Sequence, residues 1–303
     1  MGAGDVSEVT TGSCTDLYYV DTGMYNSPGY GAVYVLDAER PAVVDTGIGT
    51  NYEYVREAIE HVGLTTEEIE VIAPTHVHLD HAGGAGFLAR DCPNAAVYTH
   101  EIGVPHLADP ARLVEGTKAA VGDQWQYYTD PEPVPEGRLH ALTDGDVIDL
   151  GDHELRVHHA PGHAPHQVVF GDSANDAVFT ADAAGIYVPE LDRVEPTSPP
   201  ANFDLEGALE DVETLRGIDP ETLLFAHFGP ADADSLLDEY ETVLTDWVED
   251  VEQKHKVLGN EDAVIDHFVD GVDEELVEIW GEHKARAETA MNVRGVLGYL
   301  DRK

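Results

Sequence analysis

Positive charge is scarce in this sequence: 16 Lys and Arg stand against 60 Asp and Glu over 303 residues, a formal net charge of −44. Lysine is nearly missing, occurring only at Lys118, Lys254, Lys256, Lys284 and Lys303. A chain this poor in cations lacks the Lys/Arg clusters that drive phosphate binding through counterion release, which argues against a nucleic-acid partner. Cysteine is equally thin. Cys14 and Cys92 are too few and too far apart for a disulfide framework or a thiolate metal site, and they read as ordinary reduced thiols. No apolar run approaches the ~20 residues of a membrane-spanning helix. The opening stretch, Met1 to Gly12, has neither a basic segment nor an apolar core of a secretory signal. The expectation is a cytoplasmic protein with no membrane partner.

What is present is a core. A 42% hydrophobic fraction excludes a wholly disordered acidic chain, because such chains lack the apolar surface to offset chain entropy. The negative charge is spread along the whole length rather than gathered in a tail. In this it resembles proteins of extreme halophiles, where molar salt shortens the Debye length to ~3 Å and screens the self-repulsion.

Short β-rich runs alternate with helical ones over the first 230 residues. Strands are expected at 17–20, 32–36, 42–44, 71–73, 96–99, 139–142, 147–150, 154–159, 168–170, 177–180 and 222–225. Helices are expected at 51–62, with Asn51 as the cap, at 84–90 and at 204–215. Thr65 and Glu68 have the spacing of a capping box that would open a short helix. Residues 102–135 read as irregular. Beyond Ala231 the chain reads as helical, with Leu236, Tyr240, Val243, Leu244, Trp247 and Val251 on one face. Mixed strands and helices with interior hairpins predict an α/β protein, a four-layer αββα sandwich of residues 1–230 with a helical extension, 231–303, packed on it.

One stretch carries chemistry. His76-Val77-His78-Leu79-Asp80-His81 follows a hydrophobic strand and places three imidazoles and a carboxylate within six residues. Loops at strand ends are where α/β folds build their sites, and nitrogen and oxygen donors of this kind suit Zn, Fe or Mn. In such a turn His76 and His78 can face one ion while Asp80 and His81 face a second. His163, Asp182 and His227 each lie just past the end of another predicted strand and complete a seven-residue, two-metal set.

The order His76-x-His78-x-Asp80-His81, His163, Asp182, His227 resembles the metallo-β-lactamase superfamily, and Val43-Val44-Asp45-Thr46-Gly47 resembles its early strand-turn element. The likeness spans roughly residues 15–230. It implies that His76, His78 and His163 hold one divalent ion, most readily zinc, that Asp80, His81 and His227 hold the other, and that Asp182 bridges them. Asp45 would support the ligand loop from behind. The family's common Gly-His-x-Pro-Gly-His segment reads Gly162-His163-Ala164-Pro165-His166-Gln167 here, so His166 is assigned a supporting or structural role.

The resemblance implies a hydrolase of small esters, thioesters or lactones, of the glyoxalase II-like kind, using a metal-bridging hydroxide with Asp80 orienting it. Nuclease-type additions are missing, and the tail shows no basic cluster for a tripeptide thiol. Two other readings remain: a mononuclear iron persulfide dioxygenase using His76, His163 and Asp182, and a non-catalytic scaffold. The partner would be a small molecule, and the C-terminal helices offer a surface for oligomer contacts. Residues 102–135 and 185–200 are expected to rim the substrate pocket, with Trp125, Tyr127, Tyr128 and Tyr187 as its walls.

Overall fold

The computed structural model describes residues 1–303. Seven strands form the first sheet in sequence order: β1 (Val6–Glu8), β2 (Leu17–Asp21), β3 (Ala32–Leu36), β4 (Ala42–Val44), β5 (Val71–Ala73), β6 (Ala96–His100) and β7 (Leu139–Leu142). Pairing is antiparallel from β1 to β4 and parallel from β4 to β7. The second sheet contains β8 (Val147–Asp149), β9 (Glu154–His159), β10 (Val168–Asp172), β11 (Ala177–Ala181), β14 (Thr222–Phe225) and β15 (Pro230–Asp232), in the order β15-β14-β11-β10-β9-β8. A separate hairpin joins β12 (Ile186–Val188) to β13 (Arg193–Glu195).

Side-chain alternation explains the layers. On β3, Ala32, Tyr34 and Leu36 face the second sheet, where they meet Leu155, Val157, Phe170 and Phe179, while Val33 and Val35 face outward. Those outward residues pack with Val43 and Ile72 under Val55 and Ile59 of α1 (Tyr52–His61) and Leu88 of α3 (Ala85–Asp91). On the other side, Val169, Val178, Leu223 and Phe225 pack against Val212 and Leu215 of α6 (Leu205–Ile218), Leu244 of α7 (Leu236–Leu258) and Val296 of α10 (Glu282–Arg302). Strands covered on both faces read as unbroken apolar runs, as Ala32–Leu36 and Val71–Ala73 do. The αββα sandwich follows. No helix is long and apolar enough to cross a membrane.

Several local expectations fail for identifiable reasons. Asn51 precedes α1 but does not cap it; its amide donates to Thr22 O instead. The Thr65 and Glu68 pair does form its bonds, Thr65 N and Oγ1 donating to Glu68 Oε2 at 2.9 and 2.8 Å, but it closes a turn. Strand β5 starts three residues later, so no length remains for a helix. Residues 102–135, expected irregular, contain α4 (Val104–Ala108), α5 (Ala111–Val121) and a 3₁₀ segment (Gly122–Tyr127). Helix α5 fully buries none of its residues, and Gly116 and Thr117 in its middle are poor helix formers, so the stretch reads as irregular. Strand β1 and the β12/β13 hairpin, three residues per strand, were too short to announce themselves.

The ends of β4, β5, β9, β11 and β14 come to one edge of the sandwich, because all five strands run in the same sense within their sheets. The loop after β9 is pinned there by α6. Gly162 N donates to Asp211 Oδ2 at 2.7 Å, and a Cβ on Gly162 would lie 2.1 Å from Ala208 N, so no larger residue fits. Burial pushes the Asp211 carboxyl up to about 7, the Gly162 amide opposing it only in part. Since the unfolded carboxyl titrates near ~3.9, the native state favours the protonated form, and that stability is complete at low pH and lost as pH rises towards 7. Asp211→Asn keeps an acceptor for Gly162 and removes the charge. Its melting temperature should match wild type at pH 4 and exceed it at pH 8, which thermal melts across that range will check.

Candidate metal centre

Seven side chains meet at that edge. Three groupings have donor atoms mutually within 4.8 Å: His76 with His78 and His163; His76 with His81 and Asp182; and Asp80 with His81 and His227. Asp182 is the focus. Its Oδ2 lies 3.6 Å from His76 Nε2, 3.2 Å from His81 Nε2 and 3.1 Å from His163 Nε2, and its Oδ1 lies 3.4 Å from His227 Nε2. His78 enters through Nδ1, 3.1 Å from both His76 Nε2 and His163 Nε2. All seven residues expected from the sequence are therefore brought together, in three groupings that share His76 and His81.

Hydrogen bonds behind the rings fix which nitrogen faces inward. His81 Nδ1 donates to Asp45 Oδ2 at 3.0 Å, and His227 Nδ1 donates to Tyr30 O at 3.0 Å. Asp45 Oδ1 accepts from both Thr75 N and Thr75 Oγ1 at 2.8 Å, which leaves a lone pair of Thr75 Oγ1 for His76 Nδ1 at 3.3 Å. Thr197 Oγ1 stands 3.3 Å from His163 Nδ1. Protons held on these outer nitrogens aim the Nε2 lone pairs at the Asp182 carboxylate. Lone pairs facing lone pairs repel unless a cation lies among them. Consistently, His81 Nε2 and Asp182 Oδ1 are buried and make no oriented hydrogen bond. The donor set, five imidazoles with the carboxylates of Asp80 and Asp182, fits divalent ions of the zinc type.

Titration behaviour reflects the crowding. Burial, with the neighbouring imidazoles, holds His76 well below the ordinary histidine range and pushes His163 down to about 3. His81 goes the other way: burial disfavours its charged form, but the Asp182 and Asp45 carboxylates prevail and raise it well above that range. Burial works against an ionised Asp182, yet His163 and His81 hold its carboxyl well below the usual range.

Asp45 anchors the loop from the end of β4, with a left-handed backbone at φ 60° that Asp tolerates better than most residues. Because it holds His81 directly and His76 through Thr75, Asp45→Asn would present an amide N–H or a single acceptor where two are needed. Metal retention should fall about 10- to 100-fold, the usual loss when an outer partner of a ligand is removed. Competition against a chelator, with circular dichroism to confirm folding, measures it.

The site opens into a cavity of about 550 Å³. Residues 102–135 and 185–200 both supply its wall, through Ile102, Leu113, Tyr128, Ile186 and Pro199 among others. Of the four aromatics expected there only Tyr128 lines it. Trp125 stacks on the outer side of Tyr128, with centroids 5.3 Å apart, and Tyr187 packs on Phe225 and donates to Asp192. Sequence reading missed Tyr25 and Tyr30, which line the cavity from the β2–β3 connection, and Lys284, Glu288 and Met291, which α10 brings in. The scarcity of lysine was the one available signal for Lys284, whose Nζ lies 2.5 Å from Glu288 Oε2 and 3.9 Å from the Tyr25 ring centroid.

The family model for the metallo-beta-lactamase superfamily matches residues 26–227. The chain belongs to the metallo-beta-lactamase superfamily. Among superfamily relatives, acyl-coenzyme A thioesterase MBLAC2 of Gallus gallus is 27% identical over 187 residues, and its Homo sapiens counterpart is 27% identical over 190, each alignment covering 55% of this chain. The chain spans 62% of the length of these curated relatives. A beta-lactamase hydrolase-like protein of Xylella fastidiosa is 33% identical over 141 residues, 44% of this chain and 28% of that protein. An archaeal superfamily protein from Sulfolobus tokodaii superposes with a TM-score of 0.71 at 22% identity, covering 94% of this chain and 99% of the other. A family protein from Thermus thermophilus gives 0.62 at 22% identity, covering 90% and 88%. At such identities the superpositions speak to the superfamily fold.

Proposed function

We propose that this protein is a metal-dependent hydrolase of small acyl compounds, thioesters first, then esters and lactones. The observation that carries the proposal is the convergence of inward-facing imidazole nitrogens on Asp182 at the floor of a substrate-sized cavity. His76, His78 and His163 are proposed to hold one divalent ion, and Asp80, His81 and His227 a second, with Asp182 shared. Zinc is the first candidate and iron or manganese the alternatives. A pair of such ions, when bound, supplies Lewis acidity and a water of lowered pKa.

The chain's own residues do the rest. Asp80, whose carboxyl is held ionised by His81 and His227 against the effect of burial, offers an acceptor that orients the attacking water. Asp45, Thr75 and the Tyr30 carbonyl keep the imidazoles in register. The apolar wall from residues 102–135 and 185–200 takes the acyl group and excludes bulk water. In the reaction the water oxygen bonds to the acyl carbon, the carbon–sulfur bond breaks, and the sulfur leaves with its electron pair and gains a proton from the water. On this reading residues 1–230 form the catalytic domain and residues 231–303 an extension that closes the cavity through Lys284, Glu288 and Met291.

Thioesters come first because the MBLAC2 relatives are acyl-coenzyme A thioesterases. An iron dioxygenase would use His76, His163 and Asp182 and leave His78, Asp80, His81 and His227 without a task. Elemental analysis of protein purified in high salt, with a panel of thioester, ester, lactone and persulfide substrates, tests the proposal. Two divalent ions per chain and acyl hydrolysis are expected; a single iron with oxygen consumption on persulfide overturns it.

A further inference from the structure

His166 belongs to none of the three donor groupings, yet it is built into the same floor. Its side chain lies beside the His78 ring, centroids 5.3 Å apart and nearly perpendicular, and 6.0 Å from His76. The residue is 9% exposed, and what exposure it has is to the cavity. Val77 N donates to its Nδ1 at 3.4 Å. A ring nitrogen that accepts a hydrogen bond carries no proton, so the neutral ring holds its proton on Nε2. That Nε2 has no partner within the protein, and it is not among the polar atoms sealed away from solvent. The chain therefore holds one N–H donor, backed by a main-chain amide that fixes its tautomer, pointed into open cavity next to His78.

Such a donor is of no use to a metal, since its free nitrogen carries the proton and the other is occupied. It suits an oxygen that gains negative charge. We propose that His166 is a catalytic hydrogen-bond donor, its Nε2–H binding the acyl oxygen of the substrate as that carbon becomes tetrahedral. The inference rests on the hydrolase reading above. A preorganised donor in a water-poor site stabilises the transition state more than the ground state, because it meets full charge only there. His166 thus has a part in turnover as well as the structural one of holding Val77, which sits between the ligands His76 and His78.

The two parts separate experimentally. His166→Phe keeps the ring volume and removes both the donor and the acceptor for Val77 N, so metal content reports the loop-holding role and kcat at full metal content reports the donor; His166→Asn keeps an acceptor for Val77 N and restores an amide N–H. In the metal-loaded protein His166→Phe should lower kcat by about 10²-fold, the scale of losing one oxyanion donor, with KM close to wild type. Metal content and circular dichroism should be unchanged, and His166→Asn should recover part of the loss. Independently of activity, nitrogen NMR of histidine-labelled wild type should show the His166 proton on Nε2. A proton on Nδ1, or a His166→Phe variant with wild-type kcat, overturns the inference. So does loss of activity that follows loss of metal, which would leave His166 only the loop-holding role. A wild-type protein that carries its metals and hydrolyses none of the acyl panel overturns the hydrolase reading itself, and the inference with it.

Discussion

Replacing Asp182 by alanine is expected to cost more activity than any other single change, with hydrolysis falling by at least about 10³-fold, the upper range for removing one preorganised electrostatic group. Four imidazole nitrogens lie 3.1 to 3.6 Å from its two oxygens, so its loss unbinds both proposed ion sites together. It also removes the carboxylate that faces His81 Nε2, leaving that ring with Asp45 on its outer nitrogen and Asp80 beside it. Asp182→Asn separates charge from shape, because the amide fills the same space and can still turn an oxygen inward. Both variants should bind fewer ions by elemental analysis, the alanine one close to none. By contrast His227→Ala should weaken one ion and spare the other. Asp182→Ala retaining two ions per chain and wild-type rates would remove the shared-carboxylate assignment.

Lowering salt is expected to unfold the protein before it changes the site. The charge of −44 has few counterparts, and those are already oversubscribed. Arg216 alone is shared by Glu213, Asp238 and Glu241, and Arg193 by Glu195, Asp273 and Glu275. The remaining carboxylates repel across the helical faces. Their interaction range grows from ~3 Å at 1 M salt to ~10 Å at 0.1 M. Between molar and 0.05 M KCl the melting temperature should drop by more than about 10 °C, a loss of several kcal/mol at roughly 2–4 °C per kcal/mol for large domains. Bound divalent ions should soften the drop, since a ligand of the native state adds to its stability. Circular dichroism during dialysis, with and without metal, gives the result; a melting temperature flat across the range would contradict it.

The clustering of the seven candidate donors was legible because their spacing is local and chemically rare: three imidazoles and a carboxylate in six residues, then single donors each one step beyond an apolar strand. The sandwich was legible because strands buried on both faces, such as Ala32–Leu36, write unbroken apolar runs. Helix α5 was not legible, since none of its residues is fully buried and Gly116 and Thr117 in its middle lower its helix propensity. Trp125 and Tyr187 were misplaced for a related reason. An aromatic in a long loop can face the cavity or back the residue that does, and composition does not distinguish the two.

The sequence by itself determined which donor side chains the candidate site contains, their order along the chain and the two-sheet frame, because residue type and strand alternation are properties of neighbours in the chain. Only the tertiary structure decided which nitrogen of each imidazole faces inward, that Asp45 governs two ligands at once, and that α10 brings Lys284 to the cavity 208 residues after His76. Those are contacts between residues far apart in sequence. They exist only when both sheets have closed and every buried donor has found its acceptor, a condition that the whole packed molecule satisfies and no segment of it can state.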